Sequence, residues 1–299
     1  MNADAHVSIV ARLYPGATLL RATRLAGGVS ADVSRLEVQL PDGSTTRIVL
    51  RAHGASHGGH DAELEHRLLG ALHRRGLPVP EPLLVDASGR LLADPFLVIE
   101  FVDGTSALPV GEEDRHIDAM AGLLARIHAF PIEGLPPLPA RTDPLPEVFD
   151  YLPAGDEWQP LDAHLRALSD TAYRGPPALL HGDFWPQNLL WRNGAVAAVL
   201  DWEDAAVGDP LSDVACTRLE LRYLYGSSGM TRFTDAYARH RAVDPWRLAL
   251  WQVYVAAAAQ HFMERWGLEP AREAHMRAEA LASIREAGSA LIRSSAPGR

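Results

Sequence analysis

Four residues stand at spacings that could do chemistry. His181-Gly182-Asp183 is followed five positions later by Asn188, and Asp201 comes thirteen positions after that. Carboxylates and an amide are hard oxygen ligands, the kind Mg²⁺ takes together with phosphate oxygens. A carboxylate beside a hydroxyl can also accept its proton as that hydroxyl attacks. These are the parts of a phosphoryl-transfer site: one carboxylate for the attacking hydroxyl, and a second carboxylate and an amide for the metal between the nucleotide phosphates.

The local sequence predicts how those groups are brought together. Asn193-Gly194 between two apolar runs is a two-residue hairpin signal. It predicts Arg192 opposite Ala195, Trp191 opposite Val196, and so on down to Asn188 opposite Val199. Asp201 then emerges beyond the open end of the ribbon near Asn188, with Asp183 in the loop just before it.

Around this segment the chain changes character. The first hundred residues read as strands with one helix. Leu19–Leu25 and Val33–Leu40 flank a Gly27–Ser30 loop, and Pro41-Asp42-Gly43 turns the chain into Thr45–Arg51. Gly54–His60 reads as a mobile glycine-rich stretch. Asp61–Arg75 has Leu64, Leu68, Leu69 and Leu72 at helical spacing and ends at Gly76 and Pro78. Leu83–Asp86 and Phe96–Val102 read as buried strands. Helices are expected at Asp114–Phe130, Trp246–Trp266 and Glu269–Ile292. The eight prolines between Pro131 and Pro160 predict irregular turns there. The expectation is an α+β chain, with a small antiparallel sheet lobe over residues 1–102 and a larger, mainly helical lobe over 103–299.

Composition narrows the function. Of 299 residues, 38 are acidic and 28 basic, giving a net charge of −10, which argues against nucleic acid or an anionic membrane as partner. All 28 basic residues are arginine, so a Walker P-loop and Schiff-base chemistry are excluded. Cys216 is the one cysteine, which excludes a disulfide framework and any multi-thiolate metal site within the chain. The histidines show no ligand-rich spacing for zinc. Residues 103–299 hold 18 arginines and 27 acids, a balance of −9, along with all seven tryptophans. No stretch approaches the ~20 apolar residues that span a bilayer, and the opening Met1–Ala11 lacks a signal-peptide pattern. The cytoplasm is the expected compartment.

The order His-x-Asp, then Asn at the fifth position, then Asp, is that of the protein-kinase catalytic machinery, with Gly182 at the arginine position. With Leu200-Asp201-Trp202-Glu203 and Gly208-Asp209-Pro210…Asp213, the sequence resembles the aminoglycoside phosphotransferase family, kinase-like enzymes that include choline kinase relatives. The resemblance covers nearly the whole chain and implies a bilobal protein-kinase-like fold. It implies Asp183 as catalytic base and Asn188 and Asp201 as magnesium ligands. Gly28 and Ser30 would lie in the loop over the nucleotide phosphates. Phe96–Gly104 would be the hinge, with backbone groups of Glu100 and Val102 on the purine edge of ATP or GTP and Ile99 behind. The third strand, Ile48-Val49-Leu50-Arg51, departs from the kinase pattern. Arg51 stands at the usual lysine position, with Glu65 as its expected partner in preference to Glu63.

The reaction implied is magnesium-dependent transfer of a γ-phosphoryl group to a hydroxylated small molecule, an aminoglycoside-like antibiotic or a metabolite. The acidic C-terminal part would suit a cationic acceptor, its tryptophans a macrolide or quaternary ammonium group. A non-catalytic kinase-fold nucleotide-binding module is the alternative; a metallophosphoesterase lacks its further His and Asn ligands. Other residues have structural readings. Asp209 with Pro210 reads as a helix N-cap, Asp213 as a buried hydrogen-bonding group and His181 as structural. Cys216 and the Trp251–Tyr254 face read as core. Trp185 and Trp202 are expected along the acceptor cleft.

Overall fold

A computed structural model describes residues 3–25, 32–54, 58–107 and 111–294. In chain order the elements are α1 (Ala3–Leu13), β1 (Thr18–Arg24), β2 (Asp32–Gln39), β3 (Thr45–Ala52), α2 (Ala62–Arg74), β4 (Pro82–Asp86), β5 (Phe96–Glu100), α3 (Glu113–His128), β6 (Ala140–Arg141), α4 (Leu145–Tyr151), α5 (Gln159–Ala167), β7 (Ala178–Leu180), β8 (Leu189–Arg192), β9 (Ala195–Val199), β10 (Ala206–Gly208), α6 (Leu211–Ala238), α7 (Pro245–Phe262) and α8 (Pro270–Arg293). The proline-rich stretch therefore holds a short strand and a short helix rather than turns alone. The chain forms two compact units. One is residues 1–106 with 134–137 and 188–204; the other is 107–133, 138–187 and 205–299.

The first unit is built on a five-stranded sheet of order β1-β2-β3-β5-β4, with every neighbouring pair antiparallel. Strand alternation sorts its side chains. Leu36 and Val38, Ile48 and Leu50, and Phe96 and Val98 enter one core, covered by Ile9 and Val10 of α1. Among the described residues, the first hundred thus hold two helices rather than one. The apolar spacing Ile9, Val10, Leu13 is the signal that carries α1. The opposite face presents Val49, Arg51 and Ile99. Asp61 caps α2 by accepting the Leu64 N–H at 2.7 Å.

The β8–β9 hairpin belongs to this unit. Its turn is Asn193-Gly194, with Asn193 at φ 54° and Gly194 at φ 75°. Arg192 faces Ala195 and Trp191 faces Val196, but a bulge then shifts the register, so Leu190 faces Ala198 and Leu189 faces Val199. The expected pairing of Asn188 with Val199 is displaced by one residue. Instead the Leu200 N–H donates to the Asn188 carbonyl at 2.8 Å.

The second unit packs α7 and α8 around a core that includes Leu250, Val253, Ala256, Met276, Ala280 and Ile284, joined by Leu161 and Leu165 of α5 and Leu219 of α6. A small sheet, β6-β10-β7, lies in the same unit. Gly208 of β10 must be glycine: a Cβ there would sit 2.0 Å from the Arg141 carbonyl oxygen. Helix α6 kinks at Gly226, where φ is 67°. Among the described residues, no helix is long and apolar enough to cross a membrane.

Candidate active site

In the first unit the site is organised around one cation. Arg51 follows Val49 on the β3 face opposite the α1 core. Its guanidinium donates to a Glu65 oxygen, to Asp201 Oδ1 at 2.7 Å and to Glu203 Oε2 at 3.2 Å. Glu65 is fully buried in the first turn of α2, and the ring of His53, two residues beyond Arg51, lies 3.4 Å from its second oxygen. Burial works against the charge on Arg51, but Glu65, Asp201 and Glu203 outweigh it and hold its proton more tightly than usual. A guanidinium can serve three carboxylates at once because its donors form a rigid planar fork.

The hairpin delivers the other groups. Asn188 closes its open end by backbone pairing, and Asp201 follows in the left-handed region at φ 62°. Glu203 has its own fixture: its carbonyl accepts the His60 N–H at 2.8 Å, and a Cβ on Gly59 would come within 2.6 Å of the Glu203 Cβ. Gly59 and His60 of the glycine-rich stretch are therefore packed onto Glu203; residues 55–57 lie outside the described residues. Gly28 and Ser30 also lie outside them.

Ile99 is buried directly opposite Val49, so these two apolar side chains adjoin Arg51 on one face of the sheet. In the expected hinge, the Glu100 N–H donates to the Glu81 carbonyl at 2.8 Å. That donor is committed, so of the Glu100 backbone groups expected to meet a purine edge only the carbonyl is left.

The second unit fixes the loop that carries Asp183. The Asp213 carboxylate accepts the His181 N–H at 2.7 Å and the Gly182 N–H at 3.0 Å. The His128 ring lies 3.2 Å from the same carboxylate and 2.6 Å from the Tyr237 hydroxyl. Gly182 has φ 89°, which explains glycine at this position. The Asp183 N–H donates to the His181 ring at 3.2 Å, and Thr217 donates to the Phe184 carbonyl at 2.7 Å. The loop is thereby tied to α6 at two successive turns. His181 is fully buried and structural.

Other residues take structural places. Asp209 is fully buried and accepts the Leu211 N–H at 3.0 Å, but α6 starts at Leu211 with Pro210 as its N-cap, so Asp209 stands one residue before the cap position that the sequence reading gave it; it also binds Arg247 and accepts the Trp251 indole N–H at 2.6 Å. Trp202 does not line a cleft: it is fully buried, and its indole donates to the Val199 carbonyl at 3.2 Å. Trp185 is half-buried, and so is Cys216, which the sequence placed in the core. The sequence reading gave no role to Glu203 or Glu220. The spacing of Glu203 two residues after Asp201, and of Glu220 two helical turns after Asp213, was the available signal.

Comparison with known proteins fits this geometry. The phosphotransferase enzyme family matches residues 21–252. The aminoglycoside 3'-phosphotransferase of Streptomyces fradiae is 30% identical over 203 residues, covering 61% of this chain and 74% of that protein. Acyl-CoA dehydrogenase family member 10 of Mus musculus is 31% identical over 187 residues, but there 52% of this chain spans only 16% of the relative. Among solved structures, a thermostable mutant of aminoglycoside phosphotransferase APH(4)-Ia in ternary complex with AMP-PNP and hygromycin B superposes with a TM-score of 0.64. It is 16% identical and covers 95% of this chain and 98% of its own. At that identity the likeness shows a common fold, of the protein-kinase-like α+β kind expected from the motif. The match over most of the chain, together with the Streptomyces relative, places the protein in the phosphotransferase enzyme family.

Proposed function

We propose that this chain transfers the γ-phosphoryl group of ATP or GTP to a hydroxyl of a small molecule. The observation that carries the reading is Arg51. It is a buried cation held from one side by Glu65 and joined on the other to Asp201, so the chain keeps the lysine–glutamate arrangement of kinases with a different cation. The guanidinium would bind phosphate oxygens bidentately.

Magnesium suits the donor set on the hairpin. Asp201 offers a carboxylate whose side chain is 33% exposed, and Asn188 offers an amide oxygen; both are hard ligands. Bound there, the ion would neutralise charge on the phosphates. The remaining roles belong to the chain. Val49 and Ile99 would line the purine pocket, and the Glu100 carbonyl and Val102 backbone would meet the base edge. Asp183 would accept the proton of the acceptor hydroxyl as its oxygen bonds to the γ-phosphorus and the bond to the β-phosphate oxygen breaks. Asp213 would hold the Asp183 loop through its two N–H bonds. The acceptor, an aminoglycoside-like antibiotic or a metabolite, and a role in resistance follow only by analogy with relatives.

The test is magnesium-dependent release of ADP or GDP against a panel of aminoglycosides, macrolides, choline and sugar-like alcohols. Acceptor-stimulated release that is lost in Asp183→Asn and Asp201→Ala supports the reading. Nucleotide binding without turnover by any acceptor would favour the non-catalytic binding module instead.

A further inference from the structure

We propose that Glu220 and the Tyr223 hydroxyl form a subsite for a second hydroxyl of the acceptor, beside the one Asp183 takes; this rests on the phosphotransferase reading above. Helix α6 is bound to the His181–Phe184 loop through Asp213 and Thr217. Cys216, Glu220 and Tyr223 follow at intervals of four and three residues, so they share one face of that helix. Asp183 is the carboxylate whose charge acts on both Glu220 and Cys216, which puts this face next to the candidate base.

Two observations point to a ligand there. Tyr223 is only 7% exposed, and its hydroxyl has no hydrogen-bond partner among the described residues. A buried hydroxyl left in that state is costly unless something fills the position. The groups acting on it are Glu220 and Cys216 of the same helix, Glu279 of α8 and Arg222. Secondly, the Glu220 carboxyl is pushed up to about 8, by burial first and by Asp183 next, with Arg272 of α8 opposing. Near neutral pH it is a carboxylic acid, able to donate as well as accept.

This set discriminates between ligands. Asp183 only accepts, whereas Glu220 and Tyr223 can each donate. Two neighbouring hydroxyls satisfy all three, one giving its proton to Asp183 and the other accepting from Glu220 or Tyr223. An ammonium group has three donors and no lone pair, so it can accept neither the Glu220 proton nor the Tyr223 proton and leaves both donors unmet. The subsite therefore favours an uncharged polyol over an amino alcohol.

The test compares methyl α-D-glucopyranoside with its 2-amino-2-deoxy analogue, which differ by one hydroxyl against one ammonium. Binding to the full chain is read by calorimetry and ligand-observed NMR, with ATP and GTP binding and hydrolysis measured on the same samples. The neutral sugar is expected to bind about tenfold more tightly, Glu220→Ala and Tyr223→Phe to lose about that factor, and the isosteric Glu220→Gln to keep it. In the wild type the sugar should weaken above pH 8, where the Glu220 proton leaves, and in Glu220→Gln it should not. Preference for the amino sugar, unchanged binding in Glu220→Ala, or no binding of either sugar to the wild type would each overturn the subsite. If ATP or GTP is bound and hydrolysed while the sugar pattern fails, only the subsite falls. If neither nucleotide is bound, the phosphotransferase reading falls with it.

Discussion

Replacing Asp213 should unfasten the loop that carries Asp183, by an amount that can be worked from its bonds. The carboxylate is fully buried and accepts two backbone N–H groups, at 2.7 Å from His181 and 3.0 Å from Gly182. A hydrogen bond to a charged group contributes about 1.5–3 kcal/mol, so Asp213→Ala should cost about 3–6 kcal/mol. That is a large part of the 5–15 kcal/mol of a typical domain. Asp213→Asn is the sharper perturbation. One amide oxygen replaces two carboxylate oxygens, and the amide nitrogen is left facing a donor, so a loss of about 2–3 kcal/mol is expected. Urea unfolding followed by circular dichroism at pH 7 reads it as a shift in midpoint without a change in slope. The pH dependence has a definite sign. Burial raises the Asp213 carboxyl, but the hydrogen bond and charge of His128, with His181, outweigh it, and the folded value lies below the ordinary one. Its stabilisation is thus complete above the unfolded value near 3.9 and disappears as the pH falls through the lower folded value. The gap between wild type and Asp213→Asn should be constant from pH 7 to about 5 and close in stronger acid. A displaced loop should also lower kcat by about 10²-fold with nucleotide affinity unchanged. An Asn variant within about 0.5 kcal/mol of wild type at pH 7, or a gap that widens on acidification, would refute the argument.

Arg51→Met should destabilise by about 3–5 kcal/mol, because it leaves the buried Glu65 without its main cation; a midpoint unchanged in urea would contradict the cage described for Arg51. Gly208→Ala should cost about 1–3 kcal/mol or prevent folding, since the new Cβ collides with the Arg141 carbonyl; a normal melting curve would show that β6 gives way freely. Glu220→Gln should raise the melting temperature at pH 8 and leave it unchanged at pH 4. The folded carboxyl, near 8, keeps a proton that the unfolded chain releases near 4.5, so wild-type stability falls between those values. Equal melting at pH 8 would count against the buried, protonated state of Glu220.

Much of the site was legible because its parts are local. Asn193-Gly194 announces the hairpin, and the Asn188–Asp201 spacing follows from the ribbon it closes. Arg51 and Glu65 were readable from a strand alternation and a helix start. What escaped depends on tertiary placement. The register slip beside Ala197 left no mark in a run of alanines and valines. Trp202 lies next to Asp201 in sequence but is fully buried, because the left-handed backbone at Asp201 breaks the strand alternation and the indole turns back to the Val199 carbonyl. Gly59 and Glu203 meet across 144 positions of sequence, and only folding brings them together. Glu220 lies on the Asp213 side of α6 by spacing alone, but the neighbours that keep its proton, Asp183 and Arg272, come from a loop and another helix.

The arginine at position 51 also fixes how this protein can be found. Nucleotide analogues that mark kinases by acylating an amine in the phosphate pocket need a lysine within reach, and the chain has none. A guanidinium whose proton is held by three carboxylates is a poor nucleophile at any ordinary pH. On the proposed function, surveys of nucleotide-using enzymes that rely on such labels would pass over this chain, whereas affinity capture on immobilised nucleotide would retain it.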